Sequence, residues 1–324
     1  MGWIILLVIL AAIGAWAMRE YRFTQSMATK AREAVPPKGQ FIDISTGRLH
    51  YVDTGTGPAV LLIHGLGGNL RHFDMGVIDD LAADHRVIAI DRPGMGWSDR
   101  PGDAPANLRA QAGFIREVIE ALSLDRPLLV GHSLGGGISL ALALDHPELT
   151  RGLALIAPLC LPTGETAEPF KPLAIPSPLM RRFVSLFLAT RATIKNRDIN
   201  LDYVFGPEPV PGGFPLQGGG LMGLRPEIFR NMSRDFLHAA DDLKGMAARY
   251  DTLPRPVGIL HGRSDRILPV EAQAAEMGRR FPAVQVELVE GGHMLPLTQP
   301  ALCTEFIRRI DAAADSGTKA GKPD

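Results

Sequence analysis

A short apolar run that ends in a Gly-x-Ser-x-Gly sequence constrains the fold of this 324-residue chain more than any other feature. Residues 128–130 are typical of a buried strand, residues 131–135 (Gly-His-Ser-Leu-Gly) follow, and residues 138–144 have helical character. When Gly-x-Ser-x-Gly joins a strand to a helix, its serine lies on a sharp, strained turn with the hydroxyl exposed. Gly131 and Gly135 lack a Cβ, so the two elements can approach closely. The motif alone also fits a simple small-residue turn.

The histidines that follow Ser133 supply a candidate base. A serine hydroxyl is a weak nucleophile at neutral pH, so it needs a base within hydrogen-bond reach. His293 lies in a Gly-Gly-His loop just past the alternating strand predicted at residues 284–289. A loop at the carboxyl end of a strand is where open α/β sheets place their chemistry. His146, by contrast, is typical of a helix end, and His261 is expected to fill a backbone or core position before a turn.

A candidate acid follows another predicted strand. Residues 257–260 are a short buried strand, and Asp265 is the only carboxylate in the loop 262–269. A carboxylate there would orient His293 and stabilise the imidazolium that forms during the reaction. The alternative is that Asp265 caps the helix predicted at residues 270–281.

Four motifs, taken in their order along the chain, resemble those of a known family. They are residues 64–68 (His-Gly-Leu-Gly-Gly), residues 91–99 (Asp-Arg-Pro-Gly-Met-Gly-Trp-Ser-Asp), residues 131–135, and Asp265 with His293. Over roughly residues 40–312 the chain resembles the α/β-hydrolase superfamily, in its capped esterase, lipase and epoxide-hydrolase-like branch. The resemblance implies an α/β-hydrolase fold: a mostly parallel central sheet flanked by helices, with an inserted helical cap.

The loop at residues 64–68 follows the apolar strand predicted at residues 59–63. It resembles the His-Gly-rich loop of lipases and esterases, which supplies one backbone N–H to the oxyanion, the second coming from the residue after the nucleophile. The resemblance assigns these two donors to Leu66 and Leu134. His64 is expected to brace the loop rather than to transfer protons.

The activity implied by the resemblance is hydrolysis of a carboxylic ester with an apolar acyl or alcohol part, through Ser133, His293, Asp265 and an acyl-enzyme. Relatives with the same triad also cleave carbon–carbon bonds, form peracids or transfer acyl groups, so these reactions stay open. Enzymes with an Asp nucleophile are disfavoured because position 133 is Ser. A non-catalytic ligand-binding protein is a more distant alternative, since it would need a broken triad.

The amino-acid composition and residue spacings argue against several classes of partner and cofactor. The chain has 34 Lys and Arg residues and 35 Asp and Glu residues, so it has no excess of positive charge that would favour binding to nucleic acid. Cys160 and Cys303 form no disulfide framework, and no His/Cys spacing indicates a metal. The Gly-rich segments do not complete a dinucleotide fingerprint. We therefore expect no cofactor and no metal, and a small-molecule or lipid ester as the partner; the oligomeric state is left open.

The N-terminus predicts a membrane anchor. Residues 2–18 are uncharged and apolar, and as a helix they would span about 25 Å. Trp3 and Trp16 occupy aromatic-belt positions, and the positive residues that follow place the body in the cytoplasm. The alternatives are a packing helix in a soluble protein, or a signal peptide cleaved after residues 15–17 (Ala-Trp-Ala), which would give a periplasmic or secreted enzyme. However, no Lys or Arg precedes the run, and it exceeds the usual length for a signal.

Changes in composition predict the remaining organisation. A helix predicted at residues 179–191 either packs over the pocket or rests on a bilayer. The predicted segments are an anchor or signal (1–18), a polar linker (19–38), the first part of the core (39–158), a cap insertion (159–245), the second part of the core (246–312) and a disordered tail (313–324).

Overall fold

Eight strands form one sheet in the computed structural model, which describes residues 1–162, 164 and 167–319. The strands are β1 (Gln40–Ile44), β2 (Gly47–Thr54), β3 (Ala59–Ile63), β4 (Arg86–Ile90), β5 (Leu128–His132), β6 (Gly152–Ile156), β7 (Val257–Gly262) and β8 (Val284–Val289). Their spatial order is β1-β2-β4-β3-β5-β6-β7-β8. Neighbours from β4 to β8 pair in parallel, whereas β2 is antiparallel to β1 and β4. This confirms the mostly parallel sheet predicted from the sequence.

The central strands are continuous apolar runs because both faces of the sheet are covered. Alternate side chains of β3 divide between two cores: Leu61 and Ile63 face one, and Val60 and Leu62 face the other. Since a strand points successive side chains to opposite faces, an unbroken apolar run is required wherever helices pack on both.

Helices cover both faces of the sheet. They are α1 (Gly2–Ala34), α2 (Val77–Leu81), α3 (Leu108–Ala121), α4 (Leu134–Asp145), α5 (Pro178–Phe187), α6 (Ala189–Lys195), α7 (Arg197–Phe205), α8 (Pro226–His238), α9 (Leu243–Ala247), α10 (Glu276–Arg280), α11 (Leu295–Thr298) and α12 (Pro300–Lys319). Helices α3 and α4 contribute to the core on one face, and α2 and α12 to the core on the other.

The segment between β6 and β7 contains residues 159–245, which the sequence predicts to form a cap. Its described part contains the helices α5 to α9 and no strand. Helix α5 begins at Pro178, where the side chain of Ser177 accepts the N–H of Met180 as an N-cap. Helix α8 also begins at a proline, Pro226, and packs against α5. Proline suits the first turn because the missing N–H would have no partner there.

The N-terminal helix extends further than the sequence suggests. Helix α1 continues to Ala34, whereas residues 19–38 are expected to form a polar linker. Its second half is helical because Glu20, Thr24, Ala28 and Ala31, spaced three or four apart, are buried on one side. These residues are small or polar, so the buried face carries no apolar signal in the sequence.

The first half of α1 lies outside the folded body. The helix is long and apolar enough to cross a membrane, judged by length and composition, and its apolar window is not buried. An exposed apolar surface of this size marks an interaction site. It is consistent with a membrane anchor or with a signal sequence.

Helix α12 overlaps the predicted disordered tail. It runs through Lys319, so residues 313–319 are helical, and residues 320–324 lie outside the described part of the chain. Phe306 and Ile310 on the preceding turns are buried against the sheet. This packing stabilises α12, although the polar residues at its end do not by themselves predict a helix.

We expect Gly135→Ala to lower the Tm, because a Cβ here would lie 2.1 Å from the carbonyl oxygen of Ile63. Relieving such a contact costs about 1–3 kcal/mol, as in other overpacked sites. Gly113→Ala in α3 is the matched control: nothing lies within 4 Å of its Cβ, and alanine favours a helix by about 0.5–1 kcal/mol. Calorimetry should give Tm shifts of opposite sign. Equal shifts would contradict the close approach of α4 to β3.

Candidate active site

Ser133 lies on the sharp turn between β5 and α4. Its φ of 55° and ψ of −120° lie outside the regions that most L-residues adopt. The Ser133 N–H donates to the carbonyl oxygen of Ile156 at 3.0 Å, and the Ser133 carbonyl oxygen accepts the N–H of Leu159 at 3.0 Å. These hydrogen bonds hold the strained residue in place. The side chain of Ser133 lines a cavity between the core and the cap.

His293 lines the same cavity and is bound to Asp265 behind it. Nδ1 of His293 lies 2.6 Å from Oδ2 of Asp265, and both residues are buried. The N–H groups of Ile267 and Leu268 donate to Oδ1 of Asp265 at 2.8 and 2.9 Å. A carboxylate held in this way accepts the Nδ1 proton of His293. The Nε2 atom is then free to act as a base.

The charge of Asp265 is stabilised by its neighbours. Burial alone would raise the pKa of Asp265, but the imidazoles of His293 and His261, through charge and hydrogen bonds, hold it well below its ordinary value. Asp265 is therefore ionised at neutral pH. In a catalytic triad, an ionised carboxylate in this position stabilises the imidazolium that forms during the reaction.

His261 is a second partner of Asp265 that the sequence does not indicate. It is fully buried at the end of β7, and its Nε2 lies 2.9 Å from the carbonyl oxygen of Leu268 and 3.2 Å from Oδ2 of Asp265. His261 therefore lies in the core, as expected, but its contact with Asp265 is not predicted by the sequence. The only available signal was the spacing of four residues between His261 and Asp265.

The loop at residues 64–68 passes directly beside the serine. A Cβ at Gly65 would lie 2.9 Å from the Cβ of Ser133, and both Leu66 and Leu134 line the cavity. His64 is fully buried, and its ring contacts backbone groups: Nδ1 lies 2.8 Å from the Gly65 carbonyl oxygen, and Nε2 accepts the Arg92 N–H at 3.0 Å. These contacts fit the expected bracing role of His64.

The cavity has a volume of about 400 Å³ and a mostly apolar wall. The core supplies the polar groups at the base of the cavity, whereas the cap supplies aromatic and aliphatic side chains. Among the described residues that line it, none is Lys, Arg, Asp or Glu. The largest apolar side chains from the cap are Phe170, Leu201, Phe205, Phe214, Met232 and Phe236.

The described residues contain no group of three His, Cys, Asp or Glu side chains placed to hold a metal ion. Cys160 and Cys303 are both buried free thiols. Burial raises the pKa of Cys160 to about 12, and it raises that of Cys303 as well. Neither thiol is therefore activated as a nucleophile.

Comparisons with known proteins agree with this architecture. Residues 58–195 match the model of the α/β hydrolase fold. The 2-hydroxymuconate semialdehyde hydrolase of Pseudomonas sp. (strain CF600) is 28% identical over 290 residues, which cover 87% of this chain and 98% of the relative. An uncharacterized protein of Mycobacterium tuberculosis is 30% identical over 300 residues, which cover 86% of this chain and 82% of the relative. The crystal structure of a membrane phospholipase A has a TM-score of 0.67 at 25% identity, covering 98% of this chain and 99% of that one.

The chain belongs to the α/β-hydrolase fold family. It is a hydrolase, as the fold and the relatives with a named activity indicate. The comparisons do not single out one bond type, since they include both a semialdehyde hydrolase and a phospholipase.

We expect His72, in the cavity wall, to make stability depend on pH. Burial lowers the pKa of His72 to about 4, against 6.5 for a free histidine. Between these values the unfolded chain binds a proton that the folded chain does not. The resulting stability is therefore complete above pH 6.5 and is lost as the pH falls to 4. In urea titrations, His72→Gln should reduce the loss of unfolding free energy between pH 7 and 4 by roughly 2–4 kcal/mol.

His146→Gln is the control, because its imidazole is partly exposed at the surface. This variant separates the loss of a buried imidazole from the loss of any histidine. Parallel pH profiles for the wild type and His72→Gln would show that burial does not keep this imidazole neutral.

Proposed function

We propose that this chain is a membrane-tethered serine hydrolase that cleaves a carboxylic ester with an apolar acyl or alcohol part. The observation that carries the proposal is the cavity. Its base holds the strained Ser133 and the His293 imidazole bound to Asp265, and its described wall is uncharged. Such a pocket favours a neutral, apolar substrate.

In the proposed reaction, the Oγ of Ser133 attacks the ester carbonyl carbon while its proton passes to Nε2 of His293. Asp265 stabilises the imidazolium through the hydrogen bond to Nδ1. The negative charge on the former carbonyl oxygen is held by the N–H groups of Leu66 and Leu134. Both residues line the cavity, Leu66 in the loop after β3 and Leu134 at the start of α4.

The tetrahedral intermediate then collapses. The carbon–oxygen bond to the alcohol breaks as His293 returns the proton to the leaving oxygen, which produces an acyl-enzyme on Ser133. A water molecule, deprotonated by His293, then attacks the acyl carbonyl carbon. The bond from that carbon to the Oγ of Ser133 breaks as His293 returns the proton to Oγ, which releases the acid and restores the serine. These steps use only side chains and backbone groups of this chain.

Hydrolysis of a carbon–carbon bond is the second candidate, and the similarity to a 2-hydroxymuconate semialdehyde hydrolase favours it. The substrate in that name is not an ester, so this relative supports the second candidate better than the first. However, a muconate carries a carboxylate, and the described wall of the cavity offers no Lys or Arg to bind one. Burying an unpaired carboxylate in such a cavity would be costly. The chemistry of the cavity therefore favours the ester.

We expect Ser133→Ala, His293→Ala and Asp265→Asn each to lower the kcat for p-nitrophenyl butyrate by about 10³–10⁶-fold without unfolding the protein. Double variants should lose little more than the worst single variant, because a triad acts as a unit. Asp242→Asn is the matched control, since Asp242 instead accepts hydrogen bonds from Asn107 and the Arg109 N–H. Loss of activity in Asp242→Asn but not in Asp265→Asn would contradict the assignment of the acid.

The bond type is tested by comparing p-nitrophenyl esters from C2 to C16 with 2-hydroxymuconate semialdehyde. We expect esters to be turned over, with kcat/KM rising with acyl length until the cavity is full. Turnover of the semialdehyde that depends on Ser133, without turnover of any ester, would favour the second candidate. Failure of a fluorophosphonate to label Ser133 would support the non-catalytic alternative.

The proposal that the enzyme lies at a membrane and acts on a lipid ester rests on α1 and the adjoining cap. The ring of Trp16 stacks on Phe187 of α5 at 6.5 Å, at the end of the apolar half of α1. Tyr21 also lies near Phe187, with ring centroids 6.4 Å apart. Tryptophan and tyrosine favour the membrane–water interface. We therefore place the end of α5 at the bilayer surface, with the body on the cytoplasmic side because Arg19 and Arg22 follow the apolar run.

The cap also exposes apolar side chains on α5 and α7, as expected for a surface that meets lipid. Leu179 is 82% exposed and Ile199 is 73% exposed. A bilayer would cover these side chains together with the apolar half of α1. The phospholipase of similar structure, named as a membrane protein, supports a lipid ester as the substrate.

Deleting residues 1–18 should release a folded enzyme that needs no detergent. Its kcat/KM for short soluble esters should stay within about 2-fold, whereas its rate on phospholipid vesicles should fall at least 10-fold, because the tether raises the local concentration of substrate. Deleting residues 1–34 should also lower the Tm, since it removes the ion pairs of Glu20 with Arg191 (2.7 Å) and Arg32 with Glu227 (2.6 Å).

Other outcomes would identify the alternatives for the N-terminus. If the protein without residues 1–18 fails to fold, α1 is a packing helix. If the mature protein purified from cells begins after Ala17, the segment is a cleaved signal peptide. Labelling of a cysteine introduced at Lys30 by an impermeant reagent in intact cells would contradict the cytoplasmic placement.

A further inference from the structure

A buried arginine contacts the loop that holds Leu66. Arg92 is fully buried, and its Nε and Nη2 donate to the carbonyl oxygens of His64 and Gly65, each at 3.0 Å. The Gly65 oxygen also lies 2.8 Å from Nδ1 of His64 and accepts the Gly68 N–H at 3.3 Å. Three donors therefore converge on one carbonyl oxygen, and one of them is a charged guanidinium.

The tautomer of His64 follows from its contacts. The backbone N–H of Arg92 can only donate, so Nε2 of His64 is the acceptor and carries no proton. The ring proton is on Nδ1 and is donated to Gly65. Burial, reinforced by the charge of Arg92, lowers the pKa of His64 well below its usual value, so the ring remains neutral.

The Gly65 carbonyl and the Leu66 N–H belong to the same peptide unit. This peptide bond is trans, so its oxygen and its N–H point in opposite directions. Donors that fix the oxygen therefore also fix the direction of the N–H. Hydrogen bonds to the oxygen polarise the unit, which makes the N–H a stronger donor. Among the described residues, the Leu66 N–H has no hydrogen-bond partner of its own.

We propose that Arg92 and His64 are positioning residues that orient and polarise the Gly65–Leu66 peptide, so that its N–H stabilises the oxyanion. This inference rests on the proposed function, because it needs a reaction in which negative charge develops beside Ser133. Preorganised donors act where charge develops in the transition state. The contribution of Arg92 therefore belongs to kcat rather than to substrate binding.

The surroundings of Arg92 provide a matched control. Asp235 on the cap helix α8 accepts Nη1 of Arg92 at 2.9 Å through one oxygen and Nη1 of Arg100 at 2.5 Å through the other. All three side chains are buried. Removing either arginine leaves Asp235 paired with the other, so both variants keep a neutral buried pair. Only Arg92 donates to the carbonyls of the loop.

We expect Arg92→Met to lower the kcat for a short ester by about 10–100-fold, with KM changed less than 3-fold. Its affinity for an alkylboronic acid, which forms an anionic tetrahedral adduct with Ser133, should fall by a similar factor. Arg100→Met should change each quantity less than 3-fold. The Tm of both variants reports folding.

His64 provides an independent test if Arg92→Met fails to fold. His64→Ala should lower kcat and boronic-acid affinity together, whereas His64→Asn should restore much of both, because its amide can donate to the Gly65 oxygen from nearly the position of Nδ1.

Three results would overturn the inference: equal losses in Arg92→Met and Arg100→Met, a loss confined to KM, or an active His64→Ala. A wild type that neither hydrolyses esters nor is labelled at Ser133 would overturn the proposed function and the inference together. A wild type that is labelled at the same rate as Arg92→Met would overturn the inference alone.

Discussion

The contact between Gly135 and β3 is the constraint on which the rest of the site depends. The first turn of α4 lies so close to the carbonyl oxygen of Ile63 that a Cβ at Gly135 would be 2.1 Å from it. The chain must therefore reverse sharply at Ser133, whose φ is 55°. Because residues 64–68 begin directly after Ile63, the same contact brings their loop against the serine. One close approach thus places the candidate nucleophile and the candidate oxyanion donors together.

The core and the cap contribute different physical properties. The core supplies the polar groups on loops at the ends of its strands, where α/β sheets place their chemistry. The cap supplies apolar walls, and an uncharged wall strengthens the electrostatic interactions at the base of the cavity. A buried carboxylate, Asp235, joins the two parts through arginines of the core. Breaking such a buried pair leaves an uncompensated charge, so the cap has a defined position on the core.

The sequence is most predictive where the chemistry is local. The apolar runs predict the parallel strands, and the turn at Ser133 follows from two glycines in a strand–helix context. The order of motifs along the chain selects Asp265 and His293, which are hydrogen-bonded at 2.6 Å in the structure. The sequence does not predict the helix beyond residue 18, because its buried positions are small or polar residues whose partners lie in the cap. It also does not predict that His261 contacts Asp265, since that contact depends on how β7 meets its own loop.

The sequence by itself therefore determines which groups are candidates for the reaction, because a serine, a histidine and a carboxylate in loops after predicted strands have few alternatives. It also determines that an apolar segment precedes the enzyme. Only the tertiary structure decides what the reacting groups face. The cavity wall comes from cap side chains far apart along the chain, and the charged donor to the Gly65 carbonyl comes from Arg92, 27 residues away. These are long-range packing contacts, and a local pattern of residue types carries no information about which distant side chain fills a given space.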